Sequence, residues 1–470
     1  MTWKLFYLFV VAAPLWIPGF HRAAIAQALT NVDLPITPPT ATATTPSTNI
    51  QPATPATSVV QQANEFTITG GQVSGGTNPN VVHQFQNFDL TDPDIANFVV
   101  SPNIANVISL IDSSNPSTID GLLKLTSENS ALGSNANLFL VNPAGIIFGE
   151  NVILNLPGDL TATTSSALLF DETYLLSIDG TVNTIALPEN DDKKPSTLLP
   201  TIDNLTGDPT GYFLLSESPN ASNQLGTVAL PGNIENQGTL EVTSQSAITF
   251  ISQYIQNEGN LVAPGGEVNL IAHPGDSLLR LQQPGNILAL DVIPADAIAM
   301  LSPTAGLPFT SLAELLTANN EESATQIVVN PDGSQTLAGA SSFTPASGTV
   351  LLRGTIDVST TNQSQSPGQV NVFGRQINMI GGAINANGSE QGGTVSIGGM
   401  PMVDDFRAAF VVIGRGAEIA VNAPQGFGGS VNIWADDTVQ FYGSAAADGK
   451  DPNDSGTIKI EAGQVIDIRQ

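Results

Sequence analysis

Cysteine is absent from all 470 residues, which removes disulfides, thiolate metal sites and cysteine nucleophiles together. Positive charge is scarce: 13 Lys and Arg stand against 42 Asp and Glu, for a formal net charge of −29. Nucleic acid and anionic membrane surfaces are therefore poor partners, because affinity for both comes from basic side chains that neutralise phosphates. Charge of either sign is sparse, at 12% of residues. Gly, Asn, Ser and Thr supply most of the polarity, which is the balance of a turn-rich β protein and not of a disordered acidic tail. Helical periodicity is nearly missing too. The clear exception is Ser311 to Thr317, SLAELLT, where a helical turn or two is expected.

What is present begins with an address. Lys4 precedes an apolar run from Leu5 to Phe20 that is too short and too broken by proline to span a membrane, and small residues follow at Ala24, Ala26 and Ala28. Residues 1–28 read as a signal peptide cleaved after Ala26 or Ala28, which takes the net charge to −31 by removing Lys4 and Arg22. No later apolar stretch approaches the ~20 residues a transmembrane helix needs, so no membrane span is expected after cleavage. Residues 29–63, with PITPPTATATTPSTNIQPATPATS, read as a Pro/Thr-rich linker.

Beyond the linker, short alternating apolar runs are closed by Gly, Asn or Asp, and repeats decide which all-β fold they build. Ile234-x-Asn236-x-Gly238-x-Leu240 recurs as Ile255-x-Asn257-x-Gly259-x-Leu261, an offset of 21 residues, and Gly-x-Val-type starts fall at Gly348, Gly368, Gly393, Gly429 and Gly456. Periods in the twenties mean a solenoid, and the leucine-rich horseshoe lacks its frame here. The fold class read from this is all-β: a right-handed parallel β-helix, a pectin-lyase-like solenoid, with extra-helical loops and one short helical excursion. Inward Val, Ile and Leu are expected to stack from coil to coil, Gly or Asn to take positive φ at corners, and Asn236 to ladder with Asn257. At roughly 22 residues per coil, about 14 to 16 coils are expected. Glu189 to Tyr212, Pro294 to Phe343 and Met400 to Ala409 break the period and read as excursions.

One block resembles a known family. VSGGTNPNVVHQFQNFDL (Val73 to Leu90), SPNIANVISLI (Ser101 to Ile111), NPSTIDGLLKL (Asn115 to Leu125) and ANLFLVNPAGIIFGENVILNLPGDLTATT (Ala136 to Thr164) together resemble the haemagglutination-activity domain of filamentous-haemagglutinin-like exoproteins of two-partner secretion. NPAGIIFG, followed by SVNIWADDTVQFYG, is similar to the cyanobacterial branch. The family's NPNGI motif falls on Asn142, Pro143, Ala144, Gly145 and Ile146, with Ala144 in place of Asn. Its NPNL motif falls on Ser101, Pro102, Asn103 and Ile104, changed at both ends. These nine residues are the candidate partner-recognition site, and as sequence each motif specifies a sharp turn.

The resemblance implies passage through the inner membrane, recognition of the N-terminal domain by the periplasmic domains of an outer-membrane transporter barrel, unfolded transit, and coiling outside the cell. It implies a secreted or surface-exposed adhesin or surface structure of a Gram-negative-type cell, with a glycan or cell-surface ligand as partner. The organisation is then signal peptide 1–28, linker 29–63, secretion domain 64–290, irregular excursion 291–346 and further β-helix repeats 347–470. The last repeat, GTIKIEAGQVIDI, has no cap, and the expectation is a truncated or split member.

Two rival classes compete with this reading. A β-helix polysaccharide lyase or hydrolase needs clustered carboxylates, for which Asp191 with Asp192, Asp404 and Asp405 with Arg407, and Asp436 with Asp437 are candidates; each reads as an isolated, solvated pair. A calcium-binding surface module is suggested by Asp451, Asn453, Ser455 and Gly456, but position twelve of that loop would be Ala462 where a bidentate Glu belongs. His83 and His273 lack metal-spaced partners. The expectation is no enzyme, no cofactor and no metal.

Overall fold

The structure is a computed structural model that describes residues 49–186, 200–214, 232–275, 277–283, 286–294, 299–300, 326–329, 335–338, 347–362, 365–399 and 407–469. The expected signal peptide, the helical turn at 311–317, and Asp191, Asp192, Asp404 and Asp405 lie outside those residues. The chain divides into two units. In the smaller, the described residues are two antiparallel strands, Gln326–Val329 and Gln335–Ala338. The larger unit is a parallel β-helix.

Its framework is a long sheet in which ten strands stack in parallel, from Asn80–Asp89 through Asn106–Ile111, Asn137–Val141, Leu160–Thr163, Ala247–Ser252, Glu267–Ala272, Gln369–Gly374, Thr394–Ile397 and Ser430–Ala435 to Thr457–Ala462. A second sheet of nine parallel strands runs from Ser117–Ile119 to Val465–Ile468. The third face is built in two runs. One extends from Thr57–Gln62 to Ile153–Asn155, the other from Thr239–Glu241 to Ser444–Ala446. Alternation along each strand turns one set of side chains inward, and these form one continuous core from Ile50 to Ile460.

There are ten coils among the described residues, fewer than the expected 14 to 16, because two segments leave the helix. Leu160 stacks on Ile248, 88 residues on, and Asn269 on Asn371, 102 residues on. Both departures occur at the same corner, between the long sheet and the second sheet. They meet outside the coil: Ala167–Phe170, Tyr174–Ser177, Val182–Ala186 and Gly211–Leu214 from the first excursion form an antiparallel sheet, which Gly211–Leu214 joins to Ser277–Gln283 from the second. This extra sheet covers the outer face of the first coils, where Val82, Ile108, Leu110, Phe139 and Val141 pack with Leu168, Phe170, Tyr212 and Leu279. Strand Asn106–Ile111 is consequently buried at every residue. The excursions thus start well before the period visibly breaks at Glu189 and Pro294.

The linker also ends earlier than expected. Asn49–Pro52 pairs antiparallel with Asn80–Asp89, and Thr57–Gln62 with Glu65–Gly70, so both strands belong to the N-terminal coil. Antiparallel strands here occupy the edge that the first coil would otherwise expose for pairing with another chain.

The glycine repeat needs a different reason from the expected one. Gly368, Gly393, Gly429 and Gly456 form one column before the long-sheet strands, while Gly348 precedes a second-sheet strand, so the five mix two faces. None of those four has positive φ, although Gly348 does, at +85°. A Cβ on Gly393 would meet the Gly368 carbonyl at 2.1 Å, and one on Gly456 would meet the Gly429 carbonyl at 1.9 Å. Backbone packed on backbone excludes any side chain there. Asn236 and Asn257 do form the expected ladder, Asn236 donating from Nδ2 to Asn257 Oδ1 at 2.8 Å.

Phe148 and Phe250 stack inside the coils with ring centroids 5.6 Å apart, and both are fully buried. Phe250→Ala should therefore cost about 3–5 kcal/mol, read as a lower urea midpoint at unchanged slope.

Candidate functional site

Two proline corners carry the candidate residues. At the first, Ser101 follows the strand Ile95–Val100, and the Ile104 amide donates to the Ser101 carbonyl at 3.1 Å. Pro102 supplies the fixed φ for the second position of this turn. Asn103 is exposed, while Ile104 turns into the core at 6% exposure. Ser101 Oγ donates to Glu128 Oε2 of the next coil at 2.8 Å.

At the second corner the Gly145 amide donates to the Asn142 carbonyl at 3.0 Å, and the Ala144 amide donates to Asn142 Oδ1 at 2.9 Å. Asn142 is fully buried, and its Nδ2 reaches Ser117 Oγ at 3.0 Å and the Asn115 carbonyl at 3.2 Å on the coil before. Gly145 has φ of +124°, and a Cβ there would lie 3.0 Å from the Asn233 carbonyl on the coil after. Ile146 then enters the core.

The two motifs are one device used twice: a four-residue turn with proline second and a bond from the fourth amide to the first carbonyl. The departures from the family pattern fit that geometry. Ser101 and Asn142 are both favoured at the first position. At position 144 only the backbone amide is used, so alanine serves. The corners are not brought together. One precedes Asn106–Ile111 and the other follows Asn137–Val141, adjacent parallel strands, which places them at opposite ends of the sheet, about 17 Å apart. Sequence reasoning missed their partners Ser117, Glu128 and Asn233. The clue was spacing: Ser117 precedes Asn142 by 25 residues, and Glu128 follows Ser101 by 27, each close to one coil.

A third feature sits beside them. His83 points into the first coil, fully buried, with ring centroids 6.2 Å from Phe85 and 5.7 Å from Phe98. Neither ring nitrogen has a hydrogen-bond partner among the described residues, and nor does Ser109 Oγ, its neighbour one coil on. Burial holds the imidazole down at about 4. His273 is also held down to about 4 by burial, and its Nδ1 lies 2.9 Å from Ser277 Oγ. Of the other candidates, Arg407 stacks over Trp434 at 4.7 Å and reaches Asp436 at 3.6 Å, while Asp437 accepts from Gln464 at 2.6 Å. Asp451 precedes a short 3-10 turn, Pro452–Asp454, and takes part through its backbone carbonyl, which accepts from the Asp454 amide at 2.9 Å. Among the described residues no three acidic, His or Cys side chains are placed to hold a metal ion.

Residues 41–191 match the family described as the TPS secretion domain. The chain carries a TPS secretion domain. Both proline corners, His83 and the capping strands lie inside the matched span. No curated protein matches the chain. Among solved structures, the HMW1 secretion domain from Haemophilus influenzae is 14% identical over 89% of this chain and 98% of its own, with a TM-score of 0.43. The filamentous hemagglutinin secretion domain is 13% identical over 90% and 100%, with a TM-score of 0.32. At those scores neither likeness adds to what the strand pairing establishes. A TPS secretion domain implies an exoprotein exported by two-partner secretion, through the periplasm and with a partner outer-membrane transporter.

Two outcomes are expected in purified protein. Asn142→Ala strands Ser117 Oγ and costs about 1–3 kcal/mol, whereas Ala144→Asn changes stability by less than about 0.5 kcal/mol; denaturant curves decide both. The folded pKa of His83 lies below its ordinary value near 6.5, so the unfolded chain binds the extra proton. Stability is then complete above about pH 6.5 and falls as pH drops toward 4, by up to roughly 3 kcal/mol. His83→Leu should flatten that slope in melts across pH 4 to 7.

Proposed function

We propose that this chain is a non-catalytic exoprotein whose proline corners, Ser101 to Ile104 and Asn142 to Ile146, are read in the periplasm by the recognition domains of a dedicated outer-membrane barrel. Outside the cell it serves as an adhesin or surface structure. The TPS secretion domain at residues 41–191 carries this reading.

The geometry of the corners supports it. A chain that transits unfolded can present only local structure to its receptor, and both turns close within three residues through their own backbone and the Asn142 side chain. They can therefore form before any coil does. The absence of cysteine suits the same route, because no disulfide can lock the chain ahead of transit. Against catalysis, Asp436 and Asp437 each have a partner of their own, Arg407 and Gln464.

Co-expression with and without the partner barrel, following surface exposure, tests the reading. The chain should remain in the periplasm without the barrel, and so should a variant combining Asn142→Ala with Gly145→Ala. Asn103→Ala separates recognition from folding, since that exposed side chain makes no contact the fold needs: its melting curve should match the parent while export falls. Unchanged export of the double variant would sink the proposal.

A further inference from the structure

A cavity of about 360 Å³ opens where the first excursion lies against the outer face of the long sheet. That volume is within the range of small-molecule sites and has room for one or two sugar rings. Three carboxylates line it from separate stretches: Asp159 ahead of Leu160–Thr163, Asp208 ahead of Gly211–Leu214, and Glu267 at the start of Glu267–Ala272. Thr161, Tyr212, Thr249 and Asn269 also line it, and each is more than nine-tenths buried. The polar wall therefore belongs to the fold's interior and not to a solvated rim.

The charge in this cavity is uncompensated. None of the described residues that line it is basic. Burial raises the Asp159 carboxyl and the Asp208 charge adds to the effect; burial pushes Glu267 up to about 7, with Asp159 adding to it. Asp159 Oδ1 accepts from the Ala247 amide at 2.8 Å and Asp208 Oδ1 from Asn106 Nδ2 at 3.0 Å. The second oxygen of each has no hydrogen bond among the described residues, so both carboxylates keep an acceptor to offer.

A cation in the cavity would favour the charged forms of groups that burial, and to a lesser degree their mutual repulsion, has raised. A metal ion fits poorly, because no three carboxylates are close enough to ligate one. An organic cation spreads its contacts: an ammonium group for the carboxylates, at the short distances of charge-assisted bonds, and hydroxyls for the threonine and asparagine groups. Uronic, sialic and sulfated sugars would add like charge and are excluded. We propose that this cavity binds an amino sugar, the unacetylated hexosamine unit of a glycan. The inference rests on the surface-protein reading only for where such a glycan is met.

Calorimetry on the purified full chain at pH 7 and low salt, with a glucosamine disaccharide and its N-acetylated counterpart, tests it. The amine form should bind and the acetylated form should bind at least roughly tenfold more weakly, with added salt weakening the amine complex. Asp208→Asn and Glu267→Gln should each weaken binding by roughly tenfold. Both keep the oxygen that accepts within the protein, from Asn106 and from Asn371, and circular dichroism checks that they fold. No binding of the amine form, equal binding of the acetylated form, or variants that bind like the parent would each overturn the proposal. Export is scored separately in cells, so a chain that binds the sugar but is exported without its barrel sinks the functional reading alone.

Discussion

Every element of this fold depends on parallel strands stacking in register, coil on coil. A strand in such a stack has no hairpin partner within its own coil, so its amides and carbonyls are satisfied only by the coils before and after. Register is then rigidly linked to the core. A slip of one residue would turn Val370, Val395, Val431 and Ile458, which lie on one another across four coils, from inside to outside. The columns of glycine and asparagine follow from the same constraint. At roughly 4.8 Å per coil, corners stack as closely as strands do. Gly393 and Gly429 have no room for a Cβ, and Asn236 finds its best partner in the asparagine above it.

The extra-helical sheet solves a problem that this stacking creates. The outer faces of the first coils are apolar, and in water they would leave Val82, Ile108 and Phe139 exposed. Two segments more than sixty residues apart in sequence come together to cover them, joined by the pairing of Gly211–Leu214 with Ser277–Gln283. A ladder of asparagines fastens the cover. Asn80 Nδ2 donates to the carbonyls of Leu205 and Gly207, Asn106 to Asn80 Oδ1 and Asp208, and Asn137 to Asn106 Oδ1. The N-terminal coils are complete only when chain from beyond the matched span has folded back on them.

Legibility in the sequence followed the range of the interaction. The 21-residue echo of Ile234 to Leu240, the ladder of Asn236 with Asn257 and the turns at Pro102 and Pro143 were readable, because each is fixed by residues a few positions or one coil away. The start of the excursions was not. Ala167–Phe170 reads as one more inward strand, and only its antiparallel pairing with Tyr174–Ser177 and Gly211–Leu214 takes it out of the helix. Strand Thr57–Gln62 was lost for a related reason. An edge strand that faces solvent needs little apolar content, so TSVVQQ was absorbed into the polar linker before it. The cavity carboxylates gave no local sign at all: Asp159, Asp208 and Glu267 share no spacing and meet only because two coils and an excursion do.

The same stacking also links the fold to its route of export. With no cysteine and few ion pairs among the described residues, stability comes from coils burying one another, a gain that accrues one coil at a time. The first coil carries the burden of starting the stack, since it has a neighbour on one side only. Asn49–Pro52 and Thr57–Gln62 supply the missing pairing on its open side, while Phe85, Phe88 and Phe98 pack their rings beneath it at 5.1 to 6.4 Å. His83 sits among those rings without a hydrogen bond among the described residues, so protonating it at low pH destabilises this aromatic cluster. The first coil is thus capped on its open edge, dense in aromatic contacts, and most stable while its buried histidine stays neutral.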